Sequence, residues 1–411
     1  MMKFLLDTVH KIKPTFSKGG KLSFLRSTFD AFEDFLFVPN KVTRRGTHIR
    51  DANDLKRMMT VVIVAALPAL LFGMWNVGYQ HFLATGVSTG IQSTGTSTVL
   101  QAFGISTGIF TSGPGFLTTF WYGFLKVIPL VLVSYIVGLG IEFISAQIRG
   151  HEVNEGYLVT GLLIPLIMPV DVPLWMLALS VAFAVIIGKE IFGGTGMNIW
   201  NPALLARAFL FFAYPSHISG STVWIAGLTK GTDIVDGFSG ATPLANAAAG
   251  LDIPSLQQLF LGTIPGSIGE TSTLAILLGA ALLLFTGVAS WKIMISCIVG
   301  ALSVGGLANG LAINPYMALP AYCHLLLGGF AFGAVFMATD PVTGAQTETG
   351  KWIYGFLIGA FTICLRLFNP GYPEGMMLAI LLMNTFAPLI DHYVVQSSIR
   401  RRAKRAKQLT L

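Results

Sequence analysis

Residues 58–75 read Met-Met-Thr-Val-Val-Ile-Val-Ala-Ala-Leu-Pro-Ala-Leu-Leu-Phe-Gly-Met-Trp, with no charged side chain, directly after Lys56-Arg57. A run of this length matches the roughly 17–25 apolar residues a helix needs to cross a bilayer, and it is too long for a strand. A chain in hydrocarbon must pair its own backbone groups, so the stretch reads as a transmembrane helix. Working outward, the pattern recurs at 120–144, 157–168, 174–188, 203–214, 273–290, 293–309, 317–337, 352–368 and 375–395. That makes about ten spans. The runs 157–168 and 203–214 are short, as broken or tilted helices are where they line sites inside a membrane. Composition agrees: 53% of the 411 residues are hydrophobic and only 11% charged, against about 25% charged in soluble domains. The expected fold class is therefore an all-α integral membrane protein of about ten transmembrane helices. Its two halves of five, with an odd number each, would form an inverted repeat with broken helices.

Charge orients these segments. The net charge is +7, and it gathers at the ends. Lys41, Arg44, Arg45, Arg50, Lys56 and Arg57 precede the first run, and Arg400, Arg401, Arg402, Lys404, Arg405 and Lys407 follow the last. Both clusters abut apolar segments, which points to anchoring at a cytoplasmic membrane face and not to nucleic acid. With the N-terminus inside, the loops after even-numbered runs are also inside. They hold Arg149, Lys189, Lys292 and Lys351, with Arg207 just within the fifth run. The opposite loops are nearly free of cations: residues 76–119 have none and 215–272 only Lys230. Lys126 and Arg366, near outer helix ends, are the exceptions. The positive-inside rule thus gives a multi-pass chain with both termini cytoplasmic. The divisions read as a basic N-terminal segment (1–57), a first half (58–214), an outer loop (215–272), a second half (273–396) and a basic tail (397–411). No cleavable signal peptide is expected. The three cysteines, Cys297, Cys323 and Cys364, form no C-x-x-C, which argues against a disulfide framework or an iron–sulfur cluster in this chain.

The outer loop contains Asp236-Gly237-Phe238-Ser239-Gly240-Ala241-Thr242-Pro243. Gly240 permits a tight turn, and Pro243 pushes Thr242 toward an extended backbone that presents its hydroxyl. On these residues alone, an ordinary Ser/Gly/Thr turn is the simplest account.

The stretch nevertheless resembles the flavinylation motif of the Na⁺-translocating NADH:quinone reductases and the related Rnf electron-transport complexes. Further stretches also look like the flavin-carrying membrane component of the reductase: His151–Gly156, Phe192–Gly196, Asn201-Pro202-Ala203, Ile264–Glu270, Met337–Pro341 and Pro373–Met377. They spread over most of the membrane part. The resemblance implies a covalent FMN joined through a phosphoester to Thr242, with Ser239 and Gly240 shaping the attachment loop. It also implies a second flavin, riboflavin, held without a bond, for which Asn201 is the candidate contact. The plain alternative for Asn201 is a helix cap followed by Pro at the first position. The implied partners are the other subunits of the complex, ubiquinone, and a flavin transferase for maturation. The implied location is a bacterial inner membrane. No strand–glycine turn–helix unit is present, and Gly193–Gly196 joins two membrane helices. NADH oxidation is therefore expected on a partner subunit.

Acids within spans are functional-site candidates. Glu142 lies four residues after Gly138 and so shares its helix face. The resemblance places quinone-headgroup effects at Gly138, Gly140 and Glu142, although Leu139 stands here where many relatives have adjacent glycines. The plain alternative is that Glu142 reaches toward the interface and Arg149. Asp340, in Thr-Asp-Pro, and Asp391, near the inner end of the last span, suit Na⁺, a hard cation that prefers oxygen. Their plain alternatives are a turn and an interfacial pair with Arg400. Asp30 is the matching N-terminal acid by resemblance. His324 reads as a packing residue. Two other functions fit the chain: the equivalent component of an Rnf-type complex, and a solute permease without redox chemistry, which would leave Ser239–Thr242 unexplained.

Overall fold

With no water to serve the backbone, the apolar runs can only close their own hydrogen bonds as helices. The structure, a computed structural model, describes residues 9, 11–16, 29, 33, 55–86, 115–149, 156–231, 239–313, 316–369 and 374–409. Asp30, His151–Glu155, Asp236–Phe238 and Pro373 lie outside the described residues. Among the described residues the regular structure is all helical, with no strand.

The helices are α1 (Leu55–Thr85), α2 (Phe116–Arg149), α3 (Tyr157–Leu166), α4 (Leu174–Val185, continued by a π turn, Ile186–Glu190) and α5 (Pro202–Ala213). Two short helices, α6 (Pro243–Ala248) and α7 (Leu256–Leu261), follow in the connecting segment. Then come α8 (Thr273–Phe285), α9 (Trp291–Leu311), α10 (Cys323–Leu326), α11 (Phe330–Phe332, continued by a π turn, Gly333–Met337), α12 (Glu348–Phe368) and α13 (Met376–Leu409). Every apolar run read from the sequence falls on one of these elements. Five stretches are long and apolar enough to cross a membrane: Arg57–Thr85, Phe116–Arg149, Trp291–Leu311, Glu348–Phe368 and Met376–Ala406.

Several boundaries differ from the hydropathy reading. Helix α1 continues ten residues past Trp75, through Asn76, Gln80 and His81, all buried. They are buried because they are paired: Asn76 Nδ2 donates to the Ile264 carbonyl at 2.9 Å, and His81 Nδ1 meets the Ala226 carbonyl at 2.7 Å. Helix α13 runs through residue 397 without interruption into the basic tail, where Arg, Lys, Ala and Gln are good helix formers.

Other elements are interrupted. At 1.5 Å per residue, α3 and α5 are only about 15 and 18 Å long, well under a hydrocarbon core of about 30 Å. The segment from 264 to 270 returns to cap α3: Gly269 N–H donates to the Leu166 carbonyl at 2.7 Å. The run 317–337 breaks at Leu327, which is extended, and Gly328, whose φ is +61°. That break frees carbonyls inside the protein. Arg366 of α12, 1% exposed, donates to those of His324 (2.6 Å) and Leu327 (2.7 Å). A cation that stood as an exception to the charge pattern is thus consumed by a broken helix.

The intact helices pair closely. A Cβ at Gly359 of α12 would lie 1.9 Å from the Cys297 carbonyl oxygen of α9, and one at Gly123 of α2 1.6 Å from that of Met74 in α1. Small residues allow such backbone contact, which carries helix association in lipid. Helix α8 packs on α1 and joins the later helices to the earlier ones.

Candidate functional site

The first region lies where α2 meets the π turn after α4. Residues 134, 138, 142 and 146 of α2 form one buried stripe, the four-residue spacing of a helix face. Tyr157 fills the gap left by Gly138: a Cβ there would stand 1.9 Å from the ring, whose hydroxyl donates to the Ser134 carbonyl at 2.9 Å. Glu142 does not reach toward Arg149. It forms an ion pair with Lys189, each side chain only 4% exposed. Arg149 serves Glu190 instead, donating to its carbonyl at 2.6 Å, while the Ser145 hydroxyl donates to the Glu190 carboxylate at 2.5 Å. Gly140, two residues from Gly138, points elsewhere and would meet nothing within 4 Å. The structure therefore brings Gly138 and Glu142 together and sets Gly140 apart on an open face.

Lys189 also reaches the second region, a cavity of about 400 Å³. Its polar lining includes Lys189, Asn198, Asn201 and Asp340, and its apolar walls include Met58, Val62, Leu163, Leu283 and Phe336. The Gly193–Gly196 stretch builds one rim. Gly194 takes φ +96° so that its N–H can donate to the Lys189 carbonyl at 3.1 Å, a backbone conformation that favours glycine. Asn201 is indeed a helix cap, with Oδ1 accepting from Ala203 N–H at 3.0 Å and Pro202 at the first position. Its Nδ2 is left for Asp340 Oδ2 at 3.4 Å, so it caps a helix and faces the cavity at once. Burial pushes the Asp340 carboxyl above the usual range, against donation from Val342 N–H and the Thr343 hydroxyl. An apolar chamber with a few convergent polar groups, and a volume within about 300–1,000 Å³, fits a small cofactor.

Asp391 lies apart from the cavity lining. Its carboxylate accepts from Gln346 N–H (2.7 Å), Thr347 N–H (2.9 Å) and the Thr347 hydroxyl (2.5 Å). It anchors the 340–347 turn at the start of α12; these contacts, and not Arg400, account for it. His324 is buried and packs edge-on against Tyr316.

The third region is the motif loop. Thr242 is the N-cap of α6, its hydroxyl oxygen accepting from Ala245 N–H at 3.2 Å, and it is half-buried. Ser239 is exposed, with Oγ accepting from Ala241 N–H at 3.3 Å. Gly240 is needed because a Cβ there would lie 2.2 Å from the Ser221 carbonyl oxygen. The segment holding Ser221 is in turn fixed by Asp171, whose carboxylate accepts from Gly227 N–H and the Thr229 hydroxyl, each at 2.8 Å. Sequence reading missed Asp171, which sits in a short Pro-flanked turn with nothing to mark its partner 56 residues on.

It also missed a buried ion cluster. Arg207 of α5, 2% exposed, binds Glu270 Oε1 at 2.8 Å and also pairs with Glu374. Both acids lie in stretches singled out above, Ile264–Glu270 and Pro373–Met377, so a signal existed without a partner to attach to it. Arg207 and Lys189 are thus members of buried ion pairs. No group of three or more His, Cys, Asp or Glu side chains suited to a metal occurs among the described residues.

Fold and sites together define a class: a multi-pass helical membrane protein with charged groups buried at helix interruptions and a cofactor-sized cavity lined in part by Lys189 and Asp340. A family model described as "NQR2, RnfD, RnfE family" matches residues 42–400, and the chain belongs to this family. Similar curated proteins come from Chromohalobacter salexigens (47% identical, 97% of this chain and 96% of the relative), Ectopseudomonas mendocina (47%, 96% and 98%) and Klebsiella pneumoniae (46%, 98% and 99%). Each is named as the B subunit of a Na(+)-translocating NADH-quinone reductase.

Proposed function

We propose that the chain is the flavin-carrying membrane subunit of a Na⁺-translocating NADH:quinone reductase, passing electrons toward quinone while Na⁺ leaves the cell. The observation that carries this reading is Thr242. Its hydroxyl lies half-exposed at a helix start, in a Ser-Gly-Ala-Thr sequence whose glycine is dictated by packing against Ser221. The cap uses the oxygen as acceptor, so a phosphoester at that atom can keep an acceptor where the helix needs one. When bound, the flavins supply the one- and two-electron chemistry that no side chain of this protein provides. The chain's own residues hold and shape. Thr242 is the FMN attachment point, with Ser239 and Gly240 setting its loop. Asn201 contacts riboflavin in the cavity it lines with Asp340. The Gly138–Glu142 face and the open face at Gly140 serve quinone and Na⁺, and Asp340 and Asp391 lie along or support the ion path.

In the same reading the chain makes ten crossings of a bacterial inner membrane, with both termini cytoplasmic. Runs 317–337 and 157–168 are interrupted crossings, and residues 215–272 form the outer loop between two inverted halves. Partners are the remaining subunits, one of which oxidises NADH, together with ubiquinone and the flavin transferase. The names of the near full-length relatives favour the reductase over an Rnf-type complex.

The test is Thr242→Ala in the assembled complex. Denatured protein on a gel should lose its flavin fluorescence while the chain remains inserted, since losing a cap costs only about 0.5–2 kcal/mol. Fluorescence that persists would refute the attachment site. Thr242→Ser keeps a hydroxyl and is expected to retain flavin in part.

A further inference from the structure

The Glu142–Lys189 pair does more than neutralise itself. A buried carboxylate–ammonium pair is ordinarily structural, and breaking it by removing one partner is costly. Three features set this pair apart. Lys189 sits in a π turn, an irregularity that recurs at functional sites. It also lines the cavity, as the polar residues Asn198 and Asp340 do and Glu142 does not. Finally, the contact between α2 and the π turn does not depend on Lys189. Glu190, the next residue, is held independently by the Ser145 hydroxyl and by Arg149.

Among the described residues, the charged and titratable groups about Lys189 include Glu142 and Arg149 from α2, Tyr157 from α3, whose ring centroid is 5.8 Å from the ammonium, Glu190 beside it, and Asp340 on the same cavity. The chain thus holds, at one buried carboxylate, a compact +1 charge on a flexible stem. Na⁺ carries the same charge and the same preference for oxygen.

We infer that Lys189 is a tethered counter-cation that competes with the transported cation for the Glu142 carboxylate, and so sets how much Na⁺ the protein needs. While Lys189 is in place, Glu142 is neutralised and presents no net charge to Na⁺. When Na⁺ takes the carboxylate, Glu142 stays neutralised by the ion that entered, and the displaced ammonium carries its own +1 charge toward the cavity, which Asp340 also lines. Lys189 then acts as a specificity-determining residue. The inference rests on the Na⁺-pumping reading above.

The experiment compares purified complexes carrying wild-type chain, Lys189→Met, Lys189→Arg and the double variant Glu142→Gln/Lys189→Met. Two quantities are read as functions of NaCl, with KCl holding ionic strength constant: quinone-reductase turnover and the midpoint of thermal unfolding. Lys189→Met, without the competitor, should reach half-maximal turnover at roughly tenfold lower Na⁺, equivalent to about 1.4 kcal/mol. Its Na⁺-specific thermal stabilisation should begin at correspondingly lower salt. In the double variant that gain should vanish. An unchanged or raised Na⁺ requirement in Lys189→Met, with turnover merely reduced, would overturn the inference and return the pair to a structural role. If Lys189→Met does not assemble, Lys189→Arg decides. The guanidinium holds a carboxylate through two parallel bonds and should raise the Na⁺ requirement; no rise overturns the inference. Turnover of the wild-type complex that ignores Na⁺ would instead refute the proposed function, which keeps the two failures distinct.

Discussion

Gly138 and Gly140 look interchangeable in sequence, and alanine at each should separate them. Both changes replace glycine inside α2, which on its own favours the helix by about 1 kcal/mol. At Gly140 nothing lies within 4 Å of the added Cβ, so Gly140→Ala should leave stability unchanged or raise it by up to that amount. At Gly138 the Cβ would lie 1.9 Å from the Tyr157 ring, and the ring must move. Overpacking of this kind costs about 1–3 kcal/mol. The displaced ring also loses its 2.9 Å bond to the Ser134 carbonyl, leaving a buried hydroxyl unpaired at a further cost of about 1–3 kcal/mol. Set against the helix gain of about 1 kcal/mol, Gly138→Ala should be destabilised by roughly 1–5 kcal/mol. Thermal unfolding of the purified complex in detergent, read from the tyrosine and tryptophan signal, measures the order. The Gly138 variant should melt below wild type, and the Gly140 variant at or above it. Equal midpoints, or the reverse order, would refute the placement of Tyr157 against Gly138. Turnover adds a second contrast: if quinone meets the open face, Gly140→Ala raises the apparent KM for quinone without touching stability.

Arg366→Met should lower the thermal midpoint sharply, because two buried carbonyls lose charge-assisted bonds worth about 1.5–3 kcal/mol each. Arg366→Lys should restore only part of it, having no fork to span His324 and Leu327; full rescue would count against the capping role. Asp340→Asn should gain on wild type as pH rises. Burial raises the Asp340 pKa in the folded protein. Stability associated with the protonated acid is therefore complete below the unfolded value and is lost as pH climbs through the folded one, whereas asparagine does not titrate. The difference in thermal midpoint between the two proteins, followed from acid to neutral pH, checks this, and a pH-independent difference would contradict it.

Helices were legible in this sequence wherever burial in lipid alone decides. Each of the apolar runs lands on a helical element, Asn201 sits at a helix start, and Thr242 takes an extended backbone, as their following prolines suggest. What stayed hidden is pairing. Hydropathy stops at Trp75 because Asn76, Gln80 and His81 are polar, yet α1 continues, since Asn76 and His81 find carbonyls contributed by distant segments. No linear reading shows that Glu142 awaits Lys189, or that Glu270 and Glu374 await Arg207. What holds Asp391 was hidden for the same reason. Its three donors lie 44 and 45 residues away along the chain, and only the turn at the start of α12 delivers them.

The closeness of α9 to α12 and of α1 to α2 has a mechanical consequence. With a glycine backbone pressed against a facing carbonyl in each pair, neither pair can slide or twist without collision, and each behaves as a stiff strut. Other pieces are irregular: two π turns, the extended Leu327 beside Gly328, and the short α3 capped by Gly269. Each π turn supplies a cavity wall, through Lys189 from one and Phe336 from the other. Among the described residues, the tight helix pairs and the irregular turns thus meet at the cavity, where α1 supplies Met58 and Val62 beside Lys189 and Phe336.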